Sequence, residues 1–243
     1  MRPPDPAFAD PRLAVLYDAL DGDRSDLDAY AAIADECDAR TVVDIGCGTG
    51  TLAIRLAGSG RTVVAVDPAG ASLDVARAKP SAEQVRWVHG DATALADCAV
   101  TADLVVMTGN VAQVFVSDDD WKNTLDAVRG CLRPGGWFAF ETRRPEARDW
   151  ERWHLPPTGM SLPNGSTVIM SRTVTEVALP LVTFVTEVRV ADDVIASAST
   201  LRFRDRPEIE RDLQAHGLVV IDVRDAADRP GKEMVFVARR TGP

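Results

Sequence analysis

The chain has 243 residues, 46% hydrophobic and 26% charged, which suits one globular domain, or one domain with a sizeable insertion, and excludes global disorder. A formal net charge of -10 and a pI near 4.8 argue against nucleic acid as the main partner, because a phosphate backbone calls for a basic face. The four cysteines (Cys37, Cys47, Cys98 and Cys131) are far apart and the histidines number three, so reduced thiols and no metal centre are expected.

The first ten residues are rich in proline and aspartate and contain no apolar stretch of the signal-peptide kind. No apolar run approaches the roughly 20 residues of a membrane helix, so no membrane partner is expected and the cytoplasm is the expected location. Residues from about Pro11 to Leu20 read as one short helix with Leu13, Leu16, Tyr17 and Leu20 on one face, broken by Asp21-Gly22-Asp23. Ser25, with Asp28 three residues on, resembles a capping box opening a second helix, striped by Leu27, Tyr30 and Ile33 or Ala34.

Strand and helix then alternate. Thr41 to Ile45, Thr62 to Val66, Val85 to Val88 and Leu104 to Met107 read as strands; Thr51 to Ala57 and Ser72 to Ala78 read as helices. Asp118-Asp119-Asp120 suits the positive end of a further helix carrying Trp121, Leu125, Val128 and Leu132. Pro134-Gly135-Gly136 reads as a turn and Trp137 to Phe140 as a fifth strand. Such alternation means crossover units and a parallel sheet with helices on both faces. After Trp150 the pattern changes. Ser166 to Val177, Leu181 to Val190 and Val194 to Phe203 read as a three-stranded meander, with Asn164-Gly165, Pro180 and Asp192-Asp193 as turn signals. A helix from Pro207 to Ala215 and strands Leu218 to Val223 and Met234 to Ala238 close the chain.

The chemistry lies in Asp44-Ile45-Gly46-Cys47-Gly48-Thr49-Gly50, where the first strand turns into a helix. In open α/β sheets ligands bind beyond the carboxyl ends of the strands, and alternate glycines let backbone lie against them. A dinucleotide loop reads G-x-G-x-x-G; here its third glycine position holds Thr51. The Asp44 carboxylate would repel a pyrophosphate and attract an ammonium or sulfonium, which disfavours a nicotinamide oxidoreductase. Asp67 follows the second strand, where an acid can accept hydrogen bonds from ribose hydroxyls, and Asp91 ends the third. Taken singly, Asp44 and Asp67 also read as structural turn acids.

Together, Asp44-x-Gly46-x-Gly48-x-Gly50, Val66-Asp67, Gly90-Asp91-Ala92 and Leu132-Arg133-Pro134-Gly135-Gly136 resemble the class I S-adenosylmethionine-dependent methyltransferases over residues 40–142, and the closing strands do so by topology. The resemblance implies a doubly wound α/β fold: a mostly parallel seven-stranded sheet with an inserted antiparallel meander. It implies one domain over residues 1–243, with a helical segment (1–38), a cofactor-binding core (39–149), a lid (150–204) and closing elements (205–243). The implied cofactor is S-adenosyl-L-methionine. Gly46, Cys47, Gly48 and Gly50 would pass under its methionine part, Asp44 would meet its ammonium, and Asp67 with Pro68 its ribose. Asp91 and Ala92 would contact adenine, while Thr108 and Asn110 would lie beside the transferred methyl, Asn110 reading equally as a plain turn residue.

Leu16-Tyr17-Asp18 resembles the Tyr-Asp pair that small-molecule methyltransferases fold over the cofactor; core packing of Tyr17 is the alternative. A general base is needed only for a hydroxyl or a protonated amine; Glu141, His154 and Tyr17 are weak candidates, Glu141 and His154 reading more readily as solvated or satisfied polar groups. Trp150, Trp153 and Met160 would line an acceptor pocket or pack in the core. Arg143, Arg144 and Arg148 would hold an acidic substrate group or form a solvated basic turn. Thr108-Gly109-Asn110-Val111 replaces the Asp/Asn-Pro-Pro-aromatic run of enzymes acting on DNA-base amines or glutamine amides. The expected partner is a small-molecule methyl acceptor, with transfer to an N or O nucleophile. A non-catalytic S-adenosylmethionine-binding protein and a protein or RNA methyltransferase are the alternatives.

Overall fold

The computed structural model describes residues 3–22, 24–163, 165–190 and 192–242. Three short helices open it: α1 (Pro6–Ala9), α2 (Pro11–Ala14) and α3 (Tyr17–Asp21). The single helix expected from Pro11 is thus divided, and α1 was missed among the prolines. The stripe itself was right, since Leu13 is buried and Leu16 and Leu20 pack beside it. Helix α4 (Asp26–Glu36) follows, burying Leu27, Tyr30, Ile33 and Ala34. Its Ser25 sits in the right-handed helical region, not in the extended conformation of a capping residue. Asp23 and Asn164, two of the expected turn residues, lie outside the described residues.

The core alternates β1 (Thr41–Ile45), α5 (Thr51–Gly58), β2 (Thr62–Asp67), α6 (Gly70–Arg77), β3 (Val85–His89), β4 (Ala102–Met107), α7 (Asp118–Cys131) and β5 (Leu132–Arg143). Four strands form an inserted sheet: β6 (Leu155–Ser161), β7 (Thr167–Ala178), β8 (Leu181–Val190) and β9 (Asp193–Arg202). Helix α8 (Arg206–Ala215), β10 (Leu218–Asp225) and β11 (Glu233–Arg240) complete the chain. The main sheet has seven strands in the order β10-β11-β5-β4-β1-β2-β3, all parallel except for the antiparallel pairings of β11 with β5 and β10. The fold is therefore the expected doubly wound α/β sheet.

Burial on both faces explains the run Val42-Val43-Asp44-Ile45, every residue of which is buried. One face packs on an aromatic stack in which Phe140 lies 4.7 Å from Phe138 and 5.2 Å from Phe236. The α7 start reads as its sequence suggests, with the Ser117 side chain accepting from the Asp120 N–H at 3.0 Å.

Two elements differ from expectation. Pro134-Gly135-Gly136 is an irregularity inside β5, because Leu132 already pairs with Ala102 and the register shifts before Trp137 meets Leu104. At the far end β5 runs on to Arg143, so that Glu141 and Arg143 sit in the ladder opposite Val235 and Glu233. The meander has a fourth strand, β6, hidden in the sequence by Pro156-Pro157. Proline lacks the ladder donor and is tolerated at a sheet edge; β6 is an edge strand, with a register break at those prolines.

No helix among the described residues is long and apolar enough to cross a membrane.

Candidate active site

The chain runs outward from β1 to β2 and β3, then crosses back to β4 on the other side of β1. A crevice opens at such a switch point, past the carboxyl ends of the strands. Here it is a cleft of about 1210 Å³ including its open mouth, between the Gly46–Gly50 loop, the loop after β4, and the N-terminal segment.

The glycine loop begins where the Gly46 and Cys47 N–H groups donate to the Val66 carbonyl, at 2.8 and 3.2 Å. Its three glycines serve different ends. A Cβ on Gly46 would meet the Val111 side chain at 2.5 Å, and one on Gly50 would meet the Trp87 ring at 2.4 Å. Those two glycines permit close packing, and Gly50 does not border the cleft. A Cβ on Gly48 would meet no atom within 4 Å, so its backbone lies bare towards the cleft.

Asp44 is 1% exposed, and its Oδ1 has no hydrogen-bond partner among the described residues. Burial, with the charge of Asp67 next, pushes its carboxyl up to about 7, against a smaller downward pull from Arg24. A buried carboxylate left without a partner is costly, and a cationic group entering the cleft would relieve it. Asp67 is already half engaged: Oδ2 accepts from the Gly48 N–H at 2.8 Å and Oδ1 from the Ala69 N–H at 2.7 Å. Burial raises its carboxyl, and those backbone donors oppose the rise. Each oxygen keeps acceptor capacity for a ligand hydroxyl.

Cys47, Pro68, Asp91, Ala92, Thr108 and Tyr17 also border the cleft. Asp91 in addition caps the following 3-10 turn, accepting from the Thr93 N–H at 2.8 Å. Tyr17 packs on Phe8, with ring centroids 5.9 Å apart. Beside it Asp18 fastens α3 to the core, accepting from Thr49 Oγ1 at 2.5 Å and pairing with Lys79 Nζ at 2.6 Å. Phe8, Arg24, Val114 and Phe115 are wall residues that the sequence reading missed.

The other expected residues lie elsewhere. Asn110 is buried, with Nδ2 donating to Glu233 Oε1 at 3.0 Å, beneath the cleft wall. Glu141 is buried too. Its Oε2 accepts from Tyr30 OH at 2.8 Å, and its Oε1 from the Gly109 and Asn110 N–H groups at 2.7 and 3.2 Å. Burial and then the Glu233 charge raise its carboxyl, yet it holds the loop after β4 and does not border the cleft. Arg204 supports the same loop, donating to the Phe115 carbonyl at 2.7 Å. His154 is not a wall residue.

Trp150 is buried against Phe203, with centroids 4.7 Å apart, and Trp153 packs on Phe184 at 5.3 Å. Arg143 lies over the Trp153 ring and donates to Gln113 Oε1 at 2.8 Å. These three join the inserted sheet to the core and do not line the cleft. Arg144 pairs with Glu146 and Asp225, and exposed Arg148 with Glu151.

Residues 42–136 match the family model of a methyltransferase domain. A cypemycin N-terminal methyltransferase of a Streptomyces species is 33% identical over 135 residues, 54% of this chain and 55% of that protein. The chain thus spans just over half the length of that curated relative. An S-adenosylmethionine-dependent methyltransferase of Clostridium acetobutylicum superposes with a TM-score of 0.78 at 19% identity, covering 95% of this chain and 98% of that one. An amino pentose methyltransferase of Micromonospora echinaspora superposes with a TM-score of 0.70 at 22% identity, over 93% and 95% of the two chains.

Proposed function

We propose, from the match of residues 42–136 to the family model of a methyltransferase domain, that this chain is an S-adenosylmethionine-dependent methyltransferase that methylates a nitrogen nucleophile of a small molecule. The observation that carries the reading is the buried Asp44 carboxylate, whose Oδ1 has no hydrogen-bond partner among the described residues, beside the open face of Gly48. That pair suits a ligand with an ammonium and a flat approach to the chain, and repels a pyrophosphate.

S-adenosyl-L-methionine supplies an electrophilic methyl on a sulfonium. The residues present fit it. Asp44 would hold the ammonium, Gly48 the methionine backbone, and Asp67 the ribose hydroxyls, with Asp91 and Ala92 beside the adenine. Thr108 and the loop after β4 form the wall where an acceptor would lie. Phe8 and Tyr17, carried by the N-terminal helices, shield that space from water. Holding the two reactants in line is the main catalytic device available here.

The nucleophile follows from the wall residues. They include aspartates and one tyrosine but no histidine among the described residues, and Glu141 is committed to the Gly109 and Asn110 backbone. A neutral amine needs no base to attack, whereas a hydroxyl does. The named activity of the cypemycin N-terminal methyltransferase supports an amine acceptor.

The test is single-turnover transfer from methyl-labelled S-adenosylmethionine to a panel of amino sugars, free amines, short peptides and matched alcohols. Label in amines only is expected. Transfer confined to alcohols would overturn the nitrogen assignment, and no transfer to any member would favour a non-catalytic cofactor-binding protein.

A further inference from the structure

One face of the inserted sheet is apolar at both ends and polar in the middle. Residues paired directly across strands share a face, and alternate residues along a strand do too. At one end Val168, Val188 and Ile195 pack on Leu13. At the other, Val182 packs with Phe203 and Trp150. Between them the same face carries Arg172 opposite Thr186, Thr186 opposite Ser197, and Ser199 opposite Phe184.

Thr186, Ser197 and Ser199 are buried. Apolar residues there would continue the packing of both ends, so burying polar ones works against stability unless they have partners. Arg172 has few. Its Nε donates to Thr186 Oγ1 at 3.1 Å, and its guanidinium lies 5.3 Å from the centre of the Phe184 ring. Other sheltered arginines of this region face carboxylates: Arg143 faces Glu233, and Arg202 faces Asp118 and Glu208. Among the described residues no carboxylate pairs with Arg172, and burial alone acts on its guanidinium.

The patch is not itself part of the cleft wall, but it is joined to two segments that carry wall residues. Ser197 Oγ accepts from the Ala7 N–H at 3.0 Å, and the next residue, Phe8, is a cleft wall. The carbonyl of Arg202, three residues beyond Ser199 on β9, accepts from Gln113 Nε2 at 3.4 Å. Gln113 is followed by the wall residues Val114 and Phe115.

Resting on the methyl-transfer reading above, we infer that Arg172, with the hydroxyls of Thr186, Ser197 and Ser199, forms an oxyanion subsite, and that the acceptor carries a carboxylate or a phosphate. With Nε engaged by Thr186, the two Nη groups are the edge that can take an oxyanion bidentately. The hydroxyls can donate alongside, since Thr186 and Ser197 use their oxygens as acceptors towards the protein. A chain of net charge -10 repels anions from a distance, so a local cation is what would admit one.

The test uses the full chain, titrated calorimetrically at low salt with inorganic phosphate and separately with acetate, each with and without saturating S-adenosylhomocysteine. Saturable binding of at least one anion is expected. Arg172→Met should weaken it by about tenfold or more, as loss of hydrogen bonds to a charged group does. Arg172→Lys should recover part of it, and Arg148→Met should bind like the parent. The phosphate and acetate arms identify which oxyanion the subsite prefers. Equal anion affinity in Arg172→Met, or no saturable binding of either anion to the parent chain, would overturn the subsite. Failure of S-adenosylhomocysteine to bind, with anion binding still dependent on Arg172, would instead overturn the methyl-transfer reading and leave the subsite standing.

Discussion

Replacing Asp44 by asparagine should make the ligand-free chain more stable and cofactor binding weaker. A carboxyl whose folded value is about 7, against an ordinary 3.8, holds its proton more tightly when folded than when unfolded. The unfolded chain releases that proton first, so stability falls as pH rises from about 4 to about 7. Fully developed at pH 8, the penalty is on the order of 4 kcal/mol. Asparagine avoids the charge but keeps a buried amide with its own needs, so the gain should be a fraction of that, roughly 1–2 kcal/mol or a few degrees of Tm.

Binding should change in the opposite sense. An ammonium requires the ionised carboxylate, whose population falls from about nine-tenths at pH 8 to about one-tenth at pH 6. The affinity for S-adenosylhomocysteine should therefore drop about tenfold across that interval. At pH 6.5 binding should release about 0.8 proton, read from calorimetry in buffers of different ionisation enthalpy. In Asp44→Asn both the slope and the proton release should vanish. A flat affinity profile in the parent chain, or the same slope in Asp44→Asn, would refute the pairing of Asp44 with the ammonium.

Three further outcomes follow from contacts already described. Gly50→Ala should cost about 2–4 kcal/mol in urea unfolding, because its Cβ meets the Trp87 ring at a φ of 78°; a change below 0.5 kcal/mol would contradict the close approach. Glu141→Ala should destabilise by about 2–4 kcal/mol, leaving the Tyr30 hydroxyl and the Gly109 and Asn110 N–H groups without their acceptor; unchanged stability with turnover abolished would restore Glu141 as a base. Asp18→Ala should speed hydrogen exchange over residues 5–21, since α3 loses Thr49 and Lys79 together; unchanged exchange there would mean that the apolar stripe alone holds the segment.

The core was legible because its signals are local. A buried parallel strand such as Val42-Val43-Asp44-Ile45 announces itself by composition, and the acids at the ends of β1, β2 and β3 stand where topology puts a crevice. What sequence could not supply was the destination of side chains that act across the fold. Glu141 and Arg143 look like free polar groups after a strand. Only the pairing of β5 with β11, and the approach of Tyr30 and Gln113, shows them engaged. The three glycines look alike in sequence, yet Val111 and Trp87, distant in the chain, decide that two serve packing. Pro156-Pro157 concealed β6 because proline penalises a strand interior and an edge tolerates it. Arg172 reads as an ordinary residue of a strand, since its lack of a carboxylate partner among the described residues is a property of the folded face.

The most direct measurement of the central claim is a calorimetric titration of the full chain with S-adenosylhomocysteine, with NADH as the comparison ligand and Asp67→Ala alongside. Saturable binding of S-adenosylhomocysteine, none of NADH, and a loss of about tenfold or more in the variant are expected, because Asp67 braces Gly48 and would also hold the ribose. Folded protein that ignores S-adenosylhomocysteine, or that binds it equally well without the Asp67 carboxylate, would contradict that claim.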